Sequence, residues 1–162
     1  FAVSNHNPGQ IELLEQALGE KLLIDQLQMS VAHCPLIDAG LNVNIENDRA
    51  ADRGGDILNY CMLHKMTVQA WSPFQYGMFQ GTFLGNEKFP ALNAEINALA
   101  EKYGVTPNAV AVAWLLRHPA KIQAVVGTTN ARRLEGICGA GAVTLTRQEW
   151  YGLYLAAGKA LP

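Results

Sequence analysis

A parallel α/β fold is predicted by the amino-acid sequence on three observations. Four strand-like segments, Phe1–Asn5, Leu22–Ser30, Thr67–Trp71 and Ile122–Val126, alternate with helical patterns. Their spacing, roughly 25–50 residues, suits right-handed crossovers better than hairpins. The recurring unit is a strand, a polar tip and then a helix start, which is the pattern of repeated β-α connections. The chain opens directly inside the first strand, without an initiator Met or a polar lead-in. The expectation is therefore the second half of a repeating structure, with residues 1–162 forming one domain.

Each element has a local reason. Asn7, Pro8 and Gln10 form the start of the first helix, with Ile11, Leu14 and Leu18 at helical spacing and Gly19 as its stop. In Leu22–Ser30 alternation places Gln26 and Gln28 on one face and Leu27 and Met29 on the other. Residues 31–53 read as irregular, with Pro35, Gly40, Asn42, Asn44 and Asn47, and a loop of that length is usually functional or disordered. A short helix is expected over Asp56–Lys65, then a strand over Thr67–Trp71, cut off by Ser72-Pro73. A loop rich in Gly and Phe covers residues 74–88.

Pro90 opens an amphipathic helix with Leu92, Ile96, Leu99, Ala100 and Tyr103 as its stripe and Gly104 as its end. Thr106-Pro107 starts a helix apolar around most of its circumference, which predicts deep burial of Trp114 and its neighbours. After Ile122–Val126 come a polar tip, Gly127-Thr128-Thr129, and a helix from Asn130. Thr146 and Glu149 then form a capping box for a terminal helix with Trp150, Leu153 and Ala157 inward. Four such units leave two raw sheet edges. The sheet is either open and doubly wound, or half of a barrel that another half closes.

Composition excludes several classes. With 49% hydrophobic and 16% charged residues, the chain matches an ordinary soluble globular protein. A net charge of -2 gives no general attraction to nucleic acid or an anionic membrane surface. No apolar run approaches the roughly 20 residues that span a bilayer. Cys34, Cys61 and Cys138 are odd in number, with no C-x-x-C pair, and read as reduced thiols of a cytoplasmic protein.

Ligands of parallel α/β folds bind at the C-terminal strand ends. Those ends carry Ser4-Asn5-His6, Gln26 with Gln28, Trp71-Ser72-Pro73 and Gly127-Thr128-Thr129. The set consists mostly of neutral hydrogen-bonding groups and one indole, without a carboxylate pair, a Ser-His-Asp set or a metal pattern. It is suited to holding a ligand rather than to moving protons. Asn and Gln can pair both ends of a carboxamide, and Trp71 can stack on an aromatic ring. Arg132 and Arg133 sit in a first helical turn, where the dipole disfavours cations. A bound phosphate would offset that, although solvated surface arginines are an equal reading. No G-x-G-x-x-G occurs.

The ordered motifs V-S-N followed by N-P-x-Q, then D-Q-L-Q, A-W-S-P-x-x-x-G and V-G-T-T-x-x-R-R-L resemble the C-terminal half of an aldo/keto reductase. The likeness extends over essentially the whole chain and is nearest to a bacterial oxidoreductase subgroup, whose tail resembles T-R-Q-E-W-Y. The resemblance implies a (β/α)8 TIM barrel in which this chain supplies strands five to eight. It implies an NAD(P)H-dependent oxidoreductase that reduces aldehydes or ketones to alcohols, without a metal. Ser4, Asn5 and Gln26 would hold the nicotinamide carboxamide, and Trp71 would stack on its ring. Ser72, Phe74 and Gly77 would wrap the pyrophosphate. Gly127, Thr128 and Thr129, with Arg133, would receive the adenosine phosphates.

NADP is implied in preference to NAD, on the arginines alone, because a lysine common beside the 2′-phosphate is here Gly127. Gly136-Ile137 replaces a Glu-Asn pair that often contacts adenine. The family's catalytic Asp, Tyr, Lys and His lie on the first four strands, so no catalytic residue is expected here. The implied partners are a small carbonyl substrate and either the N-terminal half-barrel or a second copy of the chain.

Other candidates take blander readings. His6 would line the pocket rather than donate a proton, and His33-Cys34 would be structural rather than a nucleophile pair. His118 would place a cation at a helix end. Phe74, Tyr76, Phe79 and Phe83 would either line an apolar pocket or sit under their own loop. The competing functional class is a non-catalytic dinucleotide-binding or regulatory module of the same fold.

Overall fold

The computed structural model describes residues 1–162 as one four-stranded sheet with helices against it. The strands are β1 (Ala2–Ser4), β2 (Ile24–Gln28), β3 (Thr67–Trp71) and β4 (Gln123–Val125). They are parallel and lie side by side in chain order. The helices are α1 (Pro8–Leu18), α2 (Pro35–Leu41), α3 (Ile57–His64), α4 (Pro90–Tyr103), α5 (Pro107–Leu116), α6 (Ala131–Cys138) and α7 (Arg147–Ala156).

Sequential order with crossovers of one hand places every helix on one face of the sheet. Burial agrees with this. Along β2 and β3 alternate residues are buried, namely Asp25, Leu27, Val68 and Ala70, while Ile24, Gln26, Gln28, Thr67, Gln69 and Trp71 face the uncovered side. An open doubly wound sheet would carry helices on both faces, so that alternative falls.

Proline sets φ in advance, and its missing N–H costs nothing in a first turn; α1, α2, α4 and α5 all begin on one. Asn7 and Gln10 complete the capping box of α1, and Thr146 and Glu149 that of α7. In α5 the residues Ala109 through Leu115 are all buried, as the all-round apolar pattern predicts. They join one continuous core with Leu27 and Met29 from β2, Val68 and Ala70 from β3, Ile57 and Cys61 from α3, Leu92 and Ile96 from α4, and Leu153 from α7.

Residues 31–53 are more regular than the sequence predicts. They hold α2 and a 3-10 turn at Asp48–Ala50. The asparagines that suggested irregularity are caps and braces. Asn47 accepts from the Arg49 and Ala50 amides, and Asn42 Nδ2 donates to the Asp38 carbonyl at 2.8 Å. Strand margins are also tighter than expected, since Leu22, Leu23, Met29 and Ser30 lie outside β2.

His118 is a second correction. It is half-buried, its Nδ1 accepts from the Ala120 amide at 3.2 Å, and burial lowers its pKa, so it is not a cation serving a helix end. The loop aromatics divide. Phe83 is fully buried with Tyr76 and Phe89 around it, Phe74 rests against the core, and Phe79 stands in solvent.

Candidate functional site

Three adjacent strand ends build one cleft of about 340 Å³, lined by Asn5 and His6 after β1, Gln28 at the end of β2 and Trp71 at the end of β3. His33, Arg53, Gly54 and Met78 close it from the loops. Two chain reversals shape it: Asn5 and Ser72, each the first residue beyond its strand, have φ of 55° and 50°. Asparagine tolerates that left-handed region better than most residues, whereas serine is held there by its surroundings.

The β1 tip is fastened to β2. The Asn5 amide donates to the Gln26 carbonyl at 3.0 Å, Ser4 Oγ donates to the same carbonyl at 2.9 Å, and Asn5 Nδ2 donates to Ser4 Oγ at 3.3 Å. His6 Nδ1 lies 2.9 Å from the Ser4 carbonyl, so Nδ1 carries a proton and donates to it.

Two donors in this cleft have no partner. Gln28 Nε2 and Trp71 Nε1 are both buried, and neither makes a hydrogen bond within the chain. Such groups cost about 1–3 kcal/mol each unless something else satisfies them. Their two residues are paired in register across β2 and β3. Gln28 and Trp71 therefore bring a pair of unmet donors together in the wall of this cleft.

One layer deeper on the same open face, Gln26, Gln69 and Gln123 stand in register. Gln26 Nε2 donates to Gln69 Oε1 at 2.8 Å, and Gln69 Nε2 donates to Gln123 Oε1 at 3.1 Å. Sequence reasoning singled out only the first of these. The signal was present, because the three strand segments each carry a glutamine, but it becomes legible only once the register is known.

On the covered face Asp25 is fully buried, with neither carboxylate oxygen in a hydrogen bond. Burial pushes its pKa up to about 6. The backbone amides of His6 and Asn5, close but outside hydrogen-bonding geometry, and the His6 ring pull the other way. His33 sits on a turn in which its amide donates to the Ser30 carbonyl and Oγ, and burial first, then the Lys159 charge, lowers its pKa.

The neighbouring Cys34 is fully buried, and burial raises its pKa, so no His33–Cys34 nucleophile forms. Below it Asp38 accepts from Tyr154 Oη at 2.8 Å and from Lys159 Nζ at 2.8 Å, tying the β2–α3 loop to the end of the chain. Gly54 packs closely where that loop closes, since a Cβ there would lie 2.5 Å from Leu36 Cδ2 and that side chain would have to shift.

The remaining predicted residues lie at the same end of the sheet but outside this cleft. Ser72, Phe74 and Gly77 begin the loop after β3, and Gly127, Thr128 and Thr129 follow β4. A side chain at Gly127 would meet nothing within 4 Å, so internal packing does not demand glycine there. Asn130 caps α6 by accepting from the Arg133 amide, and the exposed guanidiniums of Arg132 and Arg133 make no ion pair or hydrogen bond in the chain. Gly136 and Ile137 are engaged elsewhere. Thr106 Oγ1 donates to the Gly136 carbonyl, and Ile137 is buried, so this pair seats α6 on α5 rather than facing a ligand.

A separate cleft of about 400 Å³ opens on the helical side, among Leu58, Met62, His118 and Trp150. No strand end reaches it, and it takes no part in this site. No helix is long and apolar enough to cross a membrane.

The model of the aldo/keto reductase family matches residues 1–153, and the chain belongs to that family. It is 36% identical to a 6-dehydroglucose reductase of Agrobacterium fabrum, over 97% of this chain and 46% of that protein. It is 32% identical to another 6-dehydroglucose reductase, from Novosphingobium aromaticivorans, over 100% of this chain and 48% of that protein.

Among solved structures, a thermostable aldo-keto reductase in complex with the inhibitor epalrestat superposes with a TM-score of 0.66 at 21% identity. That match covers 96% of this chain and 47% of that one. A Bombyx mori aldo-keto reductase in complex with NADP gives 0.65 at 19% identity, covering 96% and 43%. These two likenesses speak to the fold. The chain spans about half the length of the curated relatives that it matches.

Proposed function

We propose that this chain is the cofactor-holding half of an NADPH-dependent reductase that converts an aldehyde or ketone to an alcohol, supplying strands five to eight of an eight-stranded barrel. The observation that carries the reading is the pair of buried, unmet donors on Gln28 and Trp71, set beside Asn5 at three neighbouring strand ends. Donors of that kind fit a ligand with a flat ring and carbonyl or hydroxyl acceptors. The sequential strand order, the uncovered sheet face and the length relative to family members support the half-barrel.

Within this reading Ser4, Asn5 and Gln26 hold a nicotinamide carboxamide, and Trp71 lies against the ring. Ser72, Phe74 and Gly77 belong to a loop over the pyrophosphate. Gly127, Thr128, Thr129 and Arg133 take the adenosine phosphates at the start of α6, where the unpaired guanidinium and outward amides favour anions. The bound reduced nicotinamide supplies a hydride. This chain's residues orient the ring and exclude water from one side of it, and the proton comes from groups outside this chain.

The two relatives named 6-dehydroglucose reductase point to a hydroxylated aldehyde as substrate. The polar cleft wall of Asn7, Gln10, His33 and Arg53 suits such a molecule. The three free thiols accord with a cytoplasmic protein.

The test is a titration of the full-length protein with NADPH and with NADH, followed by tryptophan fluorescence, together with turnover on sugar aldehydes. NADPH binding tighter than NADH, with aldehyde-dependent oxidation, is expected. The 162-residue chain alone is expected to show no turnover. Absence of binding to either nucleotide by the full-length protein would defeat the proposal.

A further inference from the structure

We infer that Gln69 and Gln123 are positioning residues that set which end of the Gln26 amide is offered to a nicotinamide carboxamide. The inference rests on the cofactor reading above and adds to it two residues and a direction.

A primary amide has a donor end and an acceptor end, and a row of them has a polarity. Here the row runs one way. Gln26 gives its Nε2 to Gln69 Oε1, and Gln69 gives its Nε2 to Gln123 Oε1. All three side chains occupy one register level on the open face, so parallel pairing of β2, β3 and β4 holds their spacing fixed. Reversing one amide alone would place two NH2 groups or two oxygens against each other, so the three must turn together or not at all. Hydrogen bonds in such chains also polarise one another.

The consequence reaches the free end of Gln26, one layer below the cleft. With Nε2 engaged by Gln69, Gln26 keeps its Oε1 clear of any hydrogen bond from the chain. Ser4, paired in register with Gln26, has its hydroxyl hydrogen committed to the Gln26 backbone carbonyl. The free function at this level is therefore an acceptor, which suits the NH2 of a carboxamide rather than its oxygen. Gln123, on the strand leading to Gly127-Thr128-Thr129, stands at the far end of the row and is exposed.

The test uses the full-length protein and two ligands, NADPH and its reduced 3-acetylpyridine analogue, in which a methyl replaces the NH2 while the carbonyl oxygen remains. In the unmodified protein NADPH should bind at least about tenfold more tightly, the worth of one hydrogen bond. Gln123→Glu, which can only accept from Gln69, keeps the direction and should preserve the ratio. Gln123→Lys, which can only donate, turns Gln69 and then Gln26 around. It should bring the ratio to about one or below, although the change lies two strands from Gln26.

Gln69→Met removes both bonds and should also shrink the ratio. Thermal melts identify any variant that does not fold, and the exposed position 123 makes the Glu and Lys pair the dependable comparison. If the Gln123→Lys protein folds and keeps the unmodified ratio, the inference is overturned. If the unmodified protein binds neither ligand, the cofactor reading itself has failed.

Discussion

Trp114 and Trp150 exchange hydrogen bonds reciprocally: each indole N–H donates to the other's backbone carbonyl, at 3.0 and 2.9 Å, across rings stacked 4.7 Å apart and 5° from parallel. Both residues are buried, and the pair joins α5 to α7. Trp114→Phe keeps the stacking but deletes the bond to the Trp150 carbonyl, which retains its helical partner in α7, and should cost about 0.5–1.5 kcal/mol. Trp114→Ala adds a cavity and should cost about 3–5 kcal/mol. Urea unfolding of the full-length protein checks both, and a Trp114→Phe protein as stable as the unmodified one would show that the exchanged bonds contribute nothing beyond packing.

Asp25 should make the protein less stable at neutral pH than its asparagine variant. Its folded pKa of about 6 lies above the ordinary 3.8. A raised value means that the stabilising contribution is complete below about 3.8 and is lost as pH rises through about 6. Above that range the buried charge costs on the order of 2–3 kcal/mol. Asp25→Asn should therefore raise the melting temperature at neutral pH and flatten the pH dependence between about 4 and 6. Unchanged melting would mean that the carboxylate is already satisfied.

Glu149 has the opposite sign. Burial pushes its pKa up, but bonds from Lys102 Nζ, the Thr146 amide and Tyr103 Oη outweigh that and bring it down to about 2. Its contribution is present above about 4.5 and is lost as pH falls through about 2. Glu149→Gln can keep the capping box but loses the charge held by Lys102 and Tyr103, and should cost up to about 1 kcal/mol at neutral pH. It should also remove part of the acid-side fall in stability, which melts recorded down the acid range can follow.

Gln28→Leu separates stability from function. It deletes a buried, unpaired donor, so the unliganded protein should become more stable by about 1 kcal/mol. If that donor serves a ligand, KM for substrate or cofactor should rise at the same time, by about tenfold. A gain in stability with unaltered kinetics would remove Gln28 from the site.

Much of the fold could be read from local chemistry. Asn7-Pro8 with Gln10, and Thr146 with Glu149, name their own helix starts, and the alternation in Asp-Gln-Leu-Gln separates the two faces of β2. Residues 31–53 could not be read this way, because the asparagines that cap short turns have the same composition as an unstructured loop. At the cleft, Asn5, Gln28 and Trp71 could be placed at strand ends from the sequence pattern. Asp25 was not: a lone acidic residue within a strand carries no sign of its burial until the helices are placed over it. The glutamine row was hidden for a related reason, since register is a property of pairs of strands and no single segment encodes it.

The outermost strands are brief. β1 and β4 have three residues apiece, against five each in β2 and β3. Each margin thus offers only a few free backbone groups to a stranger's chain, too short a template to seed cross-β stacking. Prepared by itself, this polypeptide should resist fibre formation despite its bare sheet surface.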